Sequence, residues 1–196
     1  MSEIRAPHLV LASASPRRRE LLAGLGLSFE IDVPDVDEST WADEAPDAMV
    51  LRLALAKARA VASRRSSATT LVIAADTTVV VDGVSIAKPR DVAEAAAFVG
   101  RLAGRSHLVH TGHALCLGER EVTALRTTVV RFRPLDPAEI AWYAATGEGL
   151  DKAGGYGIQG VGATLIDGID GCYGAVVGLS LPAVVLAARA LGVRLV

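Results

Sequence analysis

The chain has 196 residues, 51% of them apolar, 21% charged and 4% aromatic, with a net charge of −2. That length and apolar share suit a single globular α/β domain over 1–196 and exclude disordered and fibrous classes. A slightly acidic chain with few stacking rings is not a general nucleic-acid binder, so no nucleic-acid partner is expected. Cys116 and Cys172 are far apart and unpaired in spacing, which fits a reducing cytoplasm rather than a disulfide framework or a zinc knuckle.

Residues 8–12 form an apolar run of strand length, and Ser13-Ala14-Ser15-Pro16 turns it into a helix with Ser15 as N-cap and Pro16 in the first helical position. Such a junction gathers free backbone N–H groups and the positive end of a helix dipole, a natural anion site. Arg17, Arg18 and Arg19 in the first turn oppose that dipole, a cost that makes sense if an anion sits there. Arg18 also shares the apolar stripe of Leu21, Leu22 and Leu25. Serines, helix start and arginine fork match phosphate geometry, against the alternative of a solvated basic turn. No signal peptide is expected, because Glu3, Arg5 and Pro7 interrupt any apolar core.

Phe29 to Val33 reads as a second strand, followed by the acidic loop 35–40. A long helix over Pro46–Ser63 then places Lys57 beside Val50, Leu53, Ala54 and Val61, where apolar residues point. Either its ammonium snorkels to water or it reaches across a cleft to a phosphate. Leu71 to Ala75 reads as a buried central strand ending in Asp76-Thr77-Thr78, and the carboxyl ends of such strands are where open α/β sheets place their chemistry. Asp76 is thus the first candidate for a metal ligand or general base, against an Asx turn. Val79–Val81 and Val84–Ala87 pair around Asp82-Gly83 as a hairpin, which would hold Lys88 at a fixed distance from Asp76.

Asp91-Val92-Ala93-Glu94 is a capping box opening a helix that stops at Gly104. Residues 106–117 and 122–133 read as two long neighbouring strands, in which His110 faces away from His107 and His113, against a histidine metal site. Asp136 caps a helix to Thr146. The glycine-rich stretch from Gly147 to Gly162 suggests backbone approaching a ligand closely, and Gln159 within it carries an amide that can both accept from and donate to a nucleobase edge. Residues 163–169 read as a strand. The stretch 171–188 has no charge over 18 residues, yet its glycines and Pro182 make it a strand, a turn and a buried helix rather than a membrane span. Several cations, a carboxylate and an amide-bearing glycine loop outline a triphosphate-and-metal site, and the absence of a Gly-x-x-x-x-Gly-Lys-Ser/Thr stretch argues against a P-loop enzyme.

The runs Leu11-Ala12-Ser13-Ala14-Ser15-Pro16-Arg17-Arg18, Asp37-Glu38, Arg52-Leu53-Ala54 with Lys57-Ala58, Ala75-Asp76-Thr77, Lys88-Pro89-Arg90, His107 with Thr111-Gly112, Asp151 to Gly160, and Tyr173 through Leu179 together resemble the Maf family of nucleoside triphosphate pyrophosphatases, also known as septum formation inhibitors. The resemblance covers nearly the whole chain. It implies an elongated α/β fold with a mixed central sheet flanked by helices, akin to inosine triphosphate pyrophosphatases and often a homodimer. It further implies hydrolysis of a nucleoside triphosphate to the monophosphate and pyrophosphate. By the same resemblance Asp76 and Glu38 hold Mg²⁺ or Mn²⁺, with Lys57 and Lys88 joining them in catalysis. Ser13, Ser15, Arg17, Arg18, Thr77 and Gln159 would bind substrate. Arg17, Thr77 and Gln159 look like the subgroup preferring dTTP and UTP, where a 7-methyl-GTP subgroup has Trp, Gln and Glu. Departures are Ala87 where the family has an acid, Glu148-Gly149 for Glu-Pro, and Gly178-Leu179-Ser180-Leu181 for Gly-Leu-Pro-Leu. Two rivals remain. One is a phosphomonoesterase using Asp76 as nucleophile, which lacks its second Asp because position 78 is Thr; the other is a division regulator that binds nucleotide without turnover.

Overall fold

The computed structural model describes residues 7–65 and 69–196. Glu3 and Arg5, on which the signal-peptide reading rests, lie outside the described residues. Strands β1 (His8–Leu11), β2 (Glu30–Ile31), β3 (Thr70–Val81), β4 (Val84–Ile86), β5 (Ser106–Leu117), β6 (Arg120–Phe132) and β7 (Ile166–Asp170) join in one mixed sheet in the order β2-β1-β3-β5-β6-β7, with β4 on β3. The helices are α1 (Pro16–Ala23), α2 (Pro46–Ala62), α3 (Val92–Leu102), α4 (Pro137–Ala145), α5 (Tyr173–Val177) and α6 (Leu181–Ala190). The described residues form two compact units, one drawn from residues 7–65, 69–76, 111–126 and 178–196, the other from residues 77–110 and 127–177.

In the first unit β1 runs parallel to both β2 and β3, with Leu9 opposite Leu71 and Leu11 opposite Ile73. Successive strand residues point to opposite faces, and the core divides accordingly. Leu9, Leu11, Leu71, Ile73, Ala75, Leu115 and Leu117 pack on one face with Leu22 of α1 and Val184, Ala187 and Ala188 of α6. Val10, Ala12, Val72, Ala74, Ala114 and Cys116 pack on the other with Ala54, Ala58 and Val61 of α2. Gly112 of β5 lets α2 approach, since a Cβ there would lie 2.3 Å from the Val50 carbonyl oxygen.

In the second unit the end of β3 turns into β4 as expected, with Val79 opposite Ile86 and Val81 opposite Val84 around Asp82 and Gly83, both at positive φ. Val79, Val81, Val109, Val130 and Phe132 pack with Val99 and Leu102 of α3 and Tyr143 of α4. Asp91 caps α3 by accepting from the Glu94 N–H, while Glu94 turns to the backbone and guanidinium of Arg90. Asp136 and Glu139 complete a full capping box on α4.

Several expectations are corrected. The strand through Leu71–Ala75 continues through Asp76 to Val81, because its partner changes from β1 to β4 along its length. Residues 160–165 form a 3-10 helix, so the last strand starts at Ile166. The uncharged stretch opens with helix α5 rather than a strand, and among the described residues no helix is long and apolar enough to cross a membrane. The second strand shrinks to Glu30–Ile31. Both cysteines are free thiols.

Candidate active site

The site in the first unit is built where β1 ends and β3 continues. The Ala12 N–H still bonds the Ile73 carbonyl at 2.8 Å, after which the chain leaves the sheet through Ser13–Ser15 into α1. Asp76 therefore lies mid-strand, yet past the carboxyl end of its parallel neighbour β1. It shares the parity of Val72 and Ala74, the face covered by α2, and Lys57 lies on the buried stripe of α2 beside Ala54, Ala58 and Val61. Helix stripe and strand face thus meet. The Lys57 ammonium lies 2.6 Å from an Asp76 carboxylate oxygen and 2.8 Å from one of Glu38. Neither sequence alternative for Lys57 anticipates this pairing: the ammonium is buried, and its partners are the two proposed metal-binding carboxylates.

Glu38 is exposed, but its loop is fixed from both sides. The Asp37 carboxylate accepts from the Ser39 N–H and hydroxyl at 2.9 Å. Arg52 of α2 forks onto Glu44 at 2.5 and 2.6 Å, donates to the Ser39 carbonyl at 3.1 Å and stacks 4.1 Å from the Trp41 ring centre. The acidic loop is therefore an anchored carrier of Glu38 rather than a solvated turn.

The strand–helix turn adopts the expected cap: the Ser15 hydroxyl accepts from the Arg18 N–H, and the Ser13 hydroxyl from the Ser15 N–H at 3.2 Å. The Arg18 guanidinium donates to the Gly178 carbonyl at 2.8 Å and to the Ser13 hydroxyl at 3.4 Å. Burial lowers its pKa, opposed by the nearby carboxylates of Asp76 and Glu38. Ser13, Ser15, Arg18, Glu38, Lys57 and Asp76 are thus one electrostatically linked group, with Arg17 half-buried on the first turn of α1.

Sequence reasoning assigns no role to Gly178, His113 or Ser180. Gly178 supplies the carbonyl that orients Arg18. Two residues on, the Ser180 N–H donates to His113 Nε2 at 2.8 Å, so Nδ1 carries the proton and donates to the Ala124 carbonyl. The signal was present in the departure Gly178-Leu179-Ser180, since a proline at 180 has no N–H to give. His107 and His110 bond separately to Tyr156 and Thr127.

Thr77, Lys88 and Gln159 belong to the second unit. Thr77 directly follows Asp76 in β3, while Lys88 and Gln159 are exposed. Ala87 is tied to the glycine loop by its carbonyl, which accepts from the Gly154 N–H at 3.1 Å. The glycines of that loop serve its own packing: a Cβ would lie 1.9 Å from the Gly155 oxygen at Gly149 and 2.1 Å from the Gly157 oxygen at Gly162.

Asp76 and Glu38 bring two carboxylates, both hard oxygen donors, to one buried ammonium. Among the described residues no three His, Cys, Asp or Glu side chains gather as a metal cluster. Mg²⁺ is commonly held by one or two carboxylates with substrate phosphates and water completing its shell, so Asp76 and Glu38 fit that ion.

Fold and site define an α/β protein in which a capped strand–helix turn with a buried arginine lies beside two carboxylates sharing one ammonium. Residues 8–191 match the profile of the Maf-like proteins, and the chain belongs to that family. It is similar to the dTTP/UTP pyrophosphatase of Symbiobacterium thermophilum, with 54% identity over 173 residues, 88% of each chain. It is also similar to the dTTP/UTP pyrophosphatases of Myxococcus xanthus, 53% identical over 88% of this chain and 87% of that one, and Deinococcus radiodurans, 46% identical over 96% and 95%.

Proposed function

We propose that this chain is a nucleoside triphosphate pyrophosphatase that hydrolyses dTTP and UTP to the monophosphate and pyrophosphate. The observation that carries the reading is the buried Asp76–Lys57 pair, joined by the exposed Glu38 and electrostatically linked to Arg18 and the Ser13–Ser15 turn, in a chain about half identical to proteins of that name.

Asp76 and Glu38 would hold a divalent cation, Mg²⁺ or Mn²⁺, which would neutralise phosphate charge and make a water more acidic. Lys57 keeps the two carboxylates on one locus, and in this reading it also donates to a phosphate oxygen. In this reading Asp76 orients the attacking water and accepts its proton. That water forms a bond to the α-phosphorus while the bond to the β-phosphate oxygen breaks, and the electron pair leaves with pyrophosphate. Ser13, Ser15, Arg17 and Arg18 clamp the phosphates with hydroxyls, backbone N–H groups and fixed cations. Lys88 adds a cation, and Thr77 and Gln159 read the pyrimidine, the amide pairing with N3–H and a carbonyl of uracil or thymine. A homodimer in the cytoplasm is part of this reading; light scattering of the purified protein checks the dimer.

Product analysis tests it. With Mg²⁺ or Mn²⁺, dTTP and UTP should release pyrophosphate, and CTP, GTP and 7-methyl-GTP much less. Asp76→Asn should lower turnover by several orders of magnitude while the chain still folds. Orthophosphate as the product would indicate the phosphomonoesterase rival, preference for 7-methyl-GTP the other subgroup, and tight binding without turnover the regulator.

A further inference from the structure

Gln159 is an exposed side chain in a segment whose composition favours mobility, because glycine loses more backbone freedom on ordering than any other residue. A recognition amide on a loose loop would bind weakly, since each ordered residue costs about 1–2 kcal/mol of backbone entropy at the moment of binding. In this chain the loop is tied on both sides of Gln159. On one side the Gly157 N–H donates to the Tyr143 hydroxyl oxygen at 3.0 Å. On the other the N–H groups of Val161 and Gly162 each donate to the Glu148 carboxylate at 2.8 Å. The two ties are one: the Tyr143 O–H donates to the same carboxylate at 3.2 Å.

The glycines record this circuit. A Cβ at Gly160, whose φ is +61°, would lie 2.5 Å from a Glu148 carboxylate oxygen, and one at Gly162 would lie 2.9 Å from both the carboxylate and the Tyr143 hydroxyl. Tyr143 is fully buried on α4, and burial raises its pKa, so it remains an O–H donor toward Glu148. Lys152 closes the ring from below by donating to the Glu148 carbonyl. Tyr156, just before the loop, is buried with its hydroxyl 2.7 Å from His107 Nε2 and its ring edge-on to Phe132.

We propose that Glu148 and Tyr143 are positioning residues for substrate selection: they preorder residues 157–162, so that the backbone carrying Gln159 is already fixed when a base arrives. The inference rests on the base-reading role of Gln159 proposed above. A fixed amide pairs with one base-edge geometry, whereas a mobile one adapts to several. A released loop gives up that selection together with the prepaid order that supports affinity.

The test compares Glu148→Ala and Tyr143→Phe with the parent by steady-state kinetics on dTTP and dGTP and by amide hydrogen exchange. Both variants should raise KM for dTTP by about tenfold, with kcat within about twofold, and lower the dTTP-to-dGTP preference in kcat/KM by about tenfold, the pattern of lost uniform binding. Exchange at Gly157, Val161 and Gly162 should speed up in the same variants. Tyr143→Phe keeps the core ring and carries the test should Glu148→Ala fail to fold. Faster exchange with KM and preference unchanged would overturn the inference, as would a fall in kcat equal on both substrates. A parent enzyme without pyrimidine triphosphate turnover would instead overturn the functional reading, and the exchange data would still test the clamp.

Discussion

Lys57→Met removes the ammonium at the centre of the site while keeping an unbranched apolar stem. Before the change that ammonium lies 2.6 Å from Asp76 and 2.8 Å from Glu38. The side chains of Lys57 and Asp76 are 8% and 12% exposed, whereas that of Glu38 is 58% exposed, so Glu38 can hydrate and the loss falls on Asp76. Removing one partner of a buried pair costs about 3–5 kcal/mol, because the remaining charge is left uncompensated. At about 2–4 °C per kcal/mol for a chain of this size, the thermal midpoint should fall by about 6–20 °C. Asp76→Asn should cost less, since an amide oxygen still accepts from the ammonium and Lys57 keeps Glu38. The assay is thermal and urea unfolding at neutral pH, with and without millimolar Mg²⁺. A cation taken up by Asp76 and Glu38 should return part of the Lys57→Met loss, about 2.7 kcal/mol at a hundredfold excess over its Kd. A Lys57→Met protein as stable as the parent would refute the buried-pair argument, and a Mg²⁺-blind one would refute the carboxylate pair as a cation site.

Further predictions concern stability elsewhere. Burial lowers the pKa of both His107 and His113 from 6.5 to about 4. At His113 protonation would also forfeit the bond from the Ser180 N–H. The unfolded chain then takes up protons first, so stability present above pH 6.5 is lost as pH falls toward 4. The loss is about 1.4 kcal/mol per pH unit for each histidine. Urea midpoints should fall measurably between pH 7 and pH 5, and histidine resonances titrating near 6.5 in the native state would contradict this. Gly112→Ala would drive a methyl group into the backbone of α2 at Val50 and should cost about 3 kcal/mol or more, read by urea unfolding.

The sequence by itself determined what depends on near neighbours. The Ser15 cap and Pro16 start of α1, the Asp136 capping box, the hairpin around Asp82-Gly83 and the burial of the Lys57 stripe all follow from short spacings. Turn chemistry and the periods of strand and helix act within a few residues and leave a local trace. The family resemblance added the candidate role of Glu38, which composition alone leaves in an acidic loop, and the dTTP/UTP subgroup reading of Gln159, whose amide the sequence already marks as able to read a base edge. Only the tertiary structure decided which groups meet. Lys57 finds Asp76 because one face of β3 lies under one stripe of α2, and Arg18 finds the Gly178 carbonyl across 160 positions. Asp76 is mid-strand rather than at a strand end because β3 exchanges β1 for β4 as partner, a matter of register between segments far apart in sequence. Glu148 looks like one more loop acid until the fold brings the N–H groups of Val161 and Gly162 onto its carboxylate. Hydrogen-bond partners of that kind are set by how layers stack and loops close, and a linear pattern carries no record of them.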